Sequence, residues 1–371
     1  MKTCAAALAA ELRKGSRRPV VEVIVDDRQM GTPRLRWSKW YEAEPAEEAT
    51  HCAYVAVGDW LLQARVVDMG PGYEVQTRRV ATADPGERTL WYRHAGSVRG
   101  DGQCALATDG VSDVWVVWID ADQRTVRFQR SGDGGLTWGN TGTVAQIAAG
   151  HKCNSVAAVC PGNGLQECVV IYGDGASESN GVQDRDIRCV EYKNGSWQND
   201  ASWGRALGRD LKGLAAVAHG CTAELTQIYL VVSGWFVRVT EQRNVNVFRL
   251  EIDQAGTRSW VWEALPLQTQ RGLFGWFWPS MVGELTDADR SRVFVQRYDP
   301  ALPDGERWRS GSFYVHEMVA DEPLVCGDFV PFRAQYEHTQ GAARAGDYLY
   351  TGTAGEIWRA GVYQTNAPWR A

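Results

Sequence analysis

The residues best suited to chemistry in this chain are aromatic, and polar groups accompany them. Trp235, Phe236, Trp276, Trp278 and Trp308 carry flat rings, with Arg307 and Asp304 beside the last of them. Flat rings match the C–H-lined faces of sugar rings, while guanidinium and carboxylate groups hydrogen-bond hydroxyls. The same residue types anchor protein interfaces. Trp235 and Trp308 stand among polar and charged neighbours, which favours a surface position. For the run LFGWFWP, which holds Trp276 and Trp278, two readings stand: a binding loop, or a buried strand whose aromatics plug the interior. A second constellation is acidic. Asp174, Glu178, Asp184 and Asp186 offer the hard oxygens that Ca²⁺ takes, but their spacing matches no defined calcium loop and Arg185 sits among them. A solvated acidic loop competes with that reading, and no cofactor is expected beyond this weak calcium candidate.

The elements that must hold these residues repeat along the chain. Around TVRFQRSGDGGLTW, alternating residues read as a strand that breaks into a turn. There Ser131, Asp133, Gly135, Thr137 and Trp138 fit S-x-D-x-G-x-T-W. The Asp133 carboxylate can accept backbone N–H groups across a tight hairpin, and the glycines take positive φ without a Cβ penalty. Tryptophans closing such turns recur at 37, 91, 138, 197 and 260, at spacings of 54, 47, 59 and 63 residues. Asp84-Pro85-Gly86, Asn194-Gly195-Ser196, Asp253 with Gly256 and, more loosely, Asp27 with Gly31 supply the turns. A second register keeps step: Cys52, Cys104 and Cys153 are 52 and 49 residues apart, and Leu214 takes the next equivalent place.

One repeat contains four strand-like runs, 103–108, 113–119, 124–130 and 142–147. Units of this length with four strands are propeller blades. First strands near Cys52, Cys104, Cys153, Leu214, Ser280 and His338 give an all-β propeller of six four-stranded blades, five and seven being the neighbouring counts. The last repeat is short, so strands at 20–25 and 35–41 are expected to complete it and close the ring. Residues 1–18 read as a short helical or flexible appendage, and 19–371 as the propeller.

The 131–138 turn resembles the Asp box, or BNR repeat, of the sialidase-like superfamily. That resemblance implies a structural turn lying away from the ligand face. In such blades the b–c and d–a connections share the opposite face. The long stretches Gly173–Asp186, Ser233–Asn244 and Tyr298–Ser312 are read as b–c connections, and Arg271–Pro279 as a d–a connection. All four fall on one side, and insertions on a rigid scaffold tend to carry binding.

A net charge of −6 argues against a nucleic-acid or anionic-membrane surface, and no apolar run is long enough to span a bilayer. Nine cysteines without a CxxC pair, several inside apolar runs, read as small buried hydrophobes of a reducing compartment. The first residues lack the long apolar core of a signal peptide.

Sialidases use an arginine triad, an aspartate acid/base and a tyrosine nucleophile paired with glutamate. The run F/Y-R-I/L-P that carries their first arginine is absent, TPRLRW and SRRPVV standing instead, and the adjacent Tyr336 and Glu337 point to opposite faces of a strand. A glycoside hydrolase of sialidase type is therefore the second reading. The opening RRPVVEVIVDDR and PRLRW, ahead of a Trp-rich propeller, is similar to phage and prophage tail proteins. That similarity implies a virion component assembled in the host cytoplasm, its N-terminal segment docked to other tail proteins. The expected function is a non-catalytic module, homo-oligomeric within its assembly, that binds host cell-surface glycan or protein; a purely architectural tail part is the third reading.

Overall fold

The computed structural model describes residues 21–22, 37–43, 49–94, 96–100, 102–153, 155–176, 185–198, 204–206, 210–218, 220–235, 245–264, 274–283, 290–298, 308–317, 324–326, 330–331 and 341–361. Among them every regular element is a β-strand, and the strands form six antiparallel sheets. Sheet I runs His51–Val57, Trp60–Asp68, Tyr73–Ala81 and Tyr92–Arg93. Sheet II comprises Cys104–Thr108, Val114–Ile119, Thr125–Ser131 and Gly142–Gln146. Sheet III has Val156–Val159 and His151–Lys152 on one side of Cys168–Ala176, followed by Arg185–Lys193, which pairs with both Ser196–Gln198 and Gly204–Ala206. Sheet IV is Asp210–Ala218, Leu225–Trp235, Val245–Asp253 and Arg258–Ala264. Sheet V contains Phe274–Gly283, Arg290–Tyr298 and Trp308–Glu317, with Leu324–Cys326 and Val330–Pro331 at its edge.

Sheet VI is shared by the two ends of the chain. Gly341–Ala345, Tyr348–Gly352 and Glu356–Gly361 come from one end, and Trp37–Glu42 and Val21–Glu22 add from the other. Trp37 lies opposite Ala360 and Glu42 opposite Glu356. The expectation that strands near 20–25 and 35–41 join the last repeat holds, while the expectation of four strands in every blade is corrected. Five sheets fold from one continuous stretch each, the remaining one is composite, and strand number varies from four to six. The helix expected in residues 1–18 lies outside the described residues, as does His338.

The first strands of successive sheets meet in a closed order, I to II to III to IV to V to VI and back to I. This ring explains the apolar runs. In the second strand of sheet II, VWVVWI, every residue is buried. Trp115, Val117 and Ile119 enter the core layer shared with sheet III, while Val114, Val116 and Trp118 enter the layer shared with sheet I. A strand covered on both faces needs no polar alternation. The closing tryptophans follow one rule. Trp91 packs in the VI/I layer, Trp138 in I/II, Trp197 in II/III and Trp260 in III/IV, so each wedges its own sheet against the preceding one.

The 131–138 turn is organised by the Asp133 carboxylate. Asp133 Oδ1 accepts from Ser131 Oγ at 2.7 Å, Thr137 N–H at 2.9 Å and Leu136 N–H at 3.0 Å, while Oδ2 accepts from Thr137 Oγ1 at 2.6 Å. Ser131 Oγ in turn accepts from Gly135 N–H at 2.8 Å. Gly135 has φ of +87°, which favours glycine, and a Cβ there would meet Leu62 Cδ1 at 2.9 Å and displace that side chain. Weaker versions recur: Asp84 Oδ1 accepts from Gly86 N–H, and Asp253 Oδ1 from Thr257 N–H.

Candidate ligand-binding face

Antiparallel order places the connections between third and fourth strands, including the 131–138 turn, on one face of the ring. The connections between second and third strands, and those between sheets, leave from the other. Residues 177–184, 236–244 and 299–307 are second-to-third connections, and 265–273 joins sheets IV and V. All four lie outside the described residues, but the strand ends that flank them share the face opposite the 131–138 turn.

Several boundaries differ from those the residue pattern suggests. Gly173–Asp186 is not connection throughout; the strands extend to Ala176 and from Arg185, with Asp174 opposite Asp186. Ser233 to Trp235 and Trp308 to Ser312 are likewise strand, Trp235 facing Asp210 and Trp308 facing Tyr298 in register. The expected d–a connection Arg271–Pro279 is corrected most. Phe274 to Pro279 belong to the first strand of sheet V, so Trp276 and Trp278 stand on the innermost strand of the ring. The register slips between Phe274 and Trp276 and again between Phe277 and Ser280, the irregularity expected where bulky residues and a glycine share a strand. Phe236, Asp304, Arg307, Glu178 and Asp184 lie outside the described residues.

At the axis the same end of the ring has a polar floor. Gln103, immediately before the first strand of sheet II, reaches Leu214 in sheet IV. Leu214 N–H donates to Gln103 Oε1 at 2.8 Å, and Gln103 Nε2 donates to Leu214 O at 3.3 Å. His51 of sheet I lies beside it, Nε2 at 3.4 Å from Gln103 Nε2, and His51 Nδ1 accepts from Cys104 N–H at 3.3 Å. Burial pushes the His51 imidazole down to about 3, so it is neutral. Three sheets therefore meet near the axis through side chains that the repeat pattern does not single out. A signal existed: THC and GQC each put a polar residue just before the cysteine that marks the first strand.

Off the axis, a second polar group lies in sheet III at the root of the 177–184 connection. His151 Nδ1 donates to Asp174 Oδ1 at 2.8 Å, and Arg188 Nε stands 3.4 Å from Asp174 Oδ2. The Asp174 side chain is 13% exposed and His151 41%, so the carboxylate is held inside while the ring edge meets solvent. Both oxygens of this calcium candidate thus face a nitrogen donor. Among the described residues no three His, Cys, Asp or Glu side chains gather as a metal site. The arrangement offers a fixed imidazole edge and a guanidinium, both suited to hydroxyl or carboxylate recognition.

No protein-family model matches the chain, and no curated protein matches it. Among solved structures it is similar to the Hadza microbial sialidase Hz136, at 11% identity and a TM-score of 0.51, over 92% of this chain and 71% of that one. It is also similar to SapL1 lectin, solved in complex with alpha methyl fucoside, at 10% identity and a TM-score of 0.43, over 87% and 98% of the two chains. The β-propeller domain of the Trilobed protease from Pyrococcus furiosus matches at 8% identity and a TM-score of 0.36, over 87% and 98%. The sialidase likeness bears on the fold, and with the ring of sheets it identifies this chain as an all-β β-propeller.

Proposed function

We propose that this β-propeller is a virion tail-associated binding module whose connection-bearing face holds host surface glycan or another surface polymer without hydrolysing it. One observation carries the reading: the 177–184, 236–244, 299–307 and 265–273 connections, next to the aromatic strand ends, all leave from the face opposite the Asp133 turn. The turn itself is read as an Asp box with a structural role, since both Asp133 carboxylate oxygens are taken up by donors of the same hairpin. The opposite face combines the ends of sheets III, IV and V, where Trp235 and Trp308 stand, with the His151, Asp174 and Arg188 group. Rigid strands ending in aromatic and planar polar side chains suit a ligand rich in C–H faces and hydroxyls.

The test is a glycan array probed with the purified chain, together with adsorption to host cells. Binding that Trp235→Ala and Trp308→Ala each weaken supports the reading. Turnover of a fluorogenic sialoside by the wild type overturns its non-catalytic part.

A further inference from the structure

Seven of the described cysteines are free thiols, and two face each other. In sheet III the register runs Val156 opposite Tyr172 to Val159 opposite Val169, so the next rung sets Cys160 opposite Cys168. The type of that rung follows from the ladder. Gly173 N–H donates to Ser155 O at 3.1 Å, which makes Ser155 and Gly173 a hydrogen-bonded pair. Alternation then makes Cys160 and Cys168 a non-hydrogen-bonded pair, in which Cα atoms approach to about 4.5 Å. Disulfides take Cα separations of about 4.4–6.8 Å, so this rung can be bridged with little backbone movement. Both side chains pack in the layer between sheets II and III, Cys168 fully buried and Cys160 half-buried.

The two cysteines bracket a working loop. Asn163 Nδ2 donates to Thr226 Oγ1 at 2.7 Å and to Thr222 O at 3.0 Å, and Thr226 Oγ1 donates to Gln166 Oε1 at 2.6 Å. Residues 161–167 of sheet III therefore grip the 222–225 turn of sheet IV. We propose that Cys160 and Cys168 are a thiol pair that an oxidant closes into a cross-strand disulfide, fastening this latch between two sheets of the ring.

With a small disulfide such as oxidised glutathione the chemistry balances in two exchanges. The Cys160 thiolate attacks one sulfur and releases one glutathione thiolate. The Cys168 thiolate then attacks the Cys160 sulfur of the mixed disulfide and releases the second. Two protein thiols have lost two protons and two electrons, and one oxidised glutathione has become two reduced ones. Burial, then the neighbouring Cys160 thiol, push the Cys168 thiol well above its usual range, so Cys160 attacks first.

The experiment uses the full chain, reduced and then incubated with oxidised glutathione. Loss of two hydrogen masses is expected, together with fragments that stay linked after unfolding and cleavage at Glu167, which separates the two cysteines. Cys160→Ser is expected to abolish the link, and the oxidised wild type to melt a few degrees above its reduced form. Fragments that separate overturn the proposal, as do arrest at the glutathione adduct and a link that persists in Cys160→Ser. Should that variant fail to fold, assigning the linked residues by fragment sequencing of the wild type decides the question alone. An unchanged melting temperature on oxidation overturns the fastening.

Discussion

The Gln103 side chain and the Leu214 backbone exchange two hydrogen bonds across the ring, although sheets II and IV are separated by sheet III. The amide behaves as one rung of a sheet, giving an acceptor to Leu214 N–H and a donor to Leu214 O. Both residues are almost fully buried, so neither group has water to fall back on. Gln103→Ala removes both partners at once and is expected to cost about 1–3 kcal/mol. Gln103→Glu keeps the acceptor, loses the donor and buries a charge, so it should cost more at neutral pH. Denaturant midpoints of the three proteins, with unchanged slopes, check the order.

The seam between sheets VI and I depends on Arg78. Its Nε donates to Gln63 Oε1 at 2.7 Å and its Nη2 to Ala354 O at 2.8 Å, while the guanidinium stacks 4.3 Å from the Trp91 ring centroid. Sheet VI holds both ends of the chain, so this one side chain ties the closure of the ring to its first continuous sheet. Arg78→Met is expected to lose about 2–4 kcal/mol through unpaired buried acceptors. Arg78→Lys keeps charge but has no planar fork to stack and bond together, so it should not rescue. Chemical denaturation measures both, and full stability in the lysine variant would show that charge alone suffices there.

Two acid steps in stability are expected. His94 accepts or donates between Thr77 and Gln129 beneath Trp138; burial lowers it to about 4, the Gln129 bond opposing. Burial lowers His51 to about 3. Each is depressed below its unfolded value near 6.5, so the unfolded chain binds more protons in between. Stability is therefore full above about pH 6.5 and falls as pH drops towards 4 and then 3. For Asp133, burial acts to raise the carboxyl, but the Thr137, Ser131 and Leu136 donors outweigh it and bring it to about 2. Its contribution is present above the usual carboxylate range and fades between about pH 4 and 2. His94→Gln should flatten the upper step and Asp133→Asn the lower one. Thermal melts from pH 7 to 2 resolve them, and a His94→Gln profile parallel to the wild type would refute the assignment.

Some of this was legible in the residue order, and the reasons differ by place. Tryptophans 91, 138, 197 and 260 announced themselves because each must wedge its sheet against the preceding one, and that need recurs once per sheet. The Asp133 turn was readable because its hydrogen bonds are local. The strand limits near Asp174 and Trp235 were not, since Gly, Asp and Ser suit a turn by propensity and are held in strands by pairing with their neighbours. For Phe274 to Pro279, composition could not choose between loop and innermost strand, and the bulged register explains why the alternation failed. Gln103, His51 and the His151–Asp174 pair depend on partners from 23 to 111 positions away, a separation that leaves no periodic trace.

Trp235 and Trp308 are the residues on which the binding proposal is most exposed. Each stands at a strand end next to a second-to-third connection, opposite Asp210 and Tyr298 respectively. A ring that stacks on a ligand in solution contributes to affinity and little to folding, whereas a ring in the core contributes mainly to folding. Trp235→Ala and Trp308→Ala are each expected to weaken glycan-array binding or host adsorption about tenfold, equivalent to about 1.4 kcal/mol. The melting temperature of each variant should stay within about 2 °C of the wild type, because a surface truncation away from caps and cores costs about 0.5 kcal/mol or less. Truncating a buried indole costs about 3–5 kcal/mol, so a large fall in melting temperature would assign both residues to packing instead. Unchanged binding with unchanged stability would move the ligand to the His151, Asp174 and Arg188 group, where Arg188→Ala becomes the deciding variant.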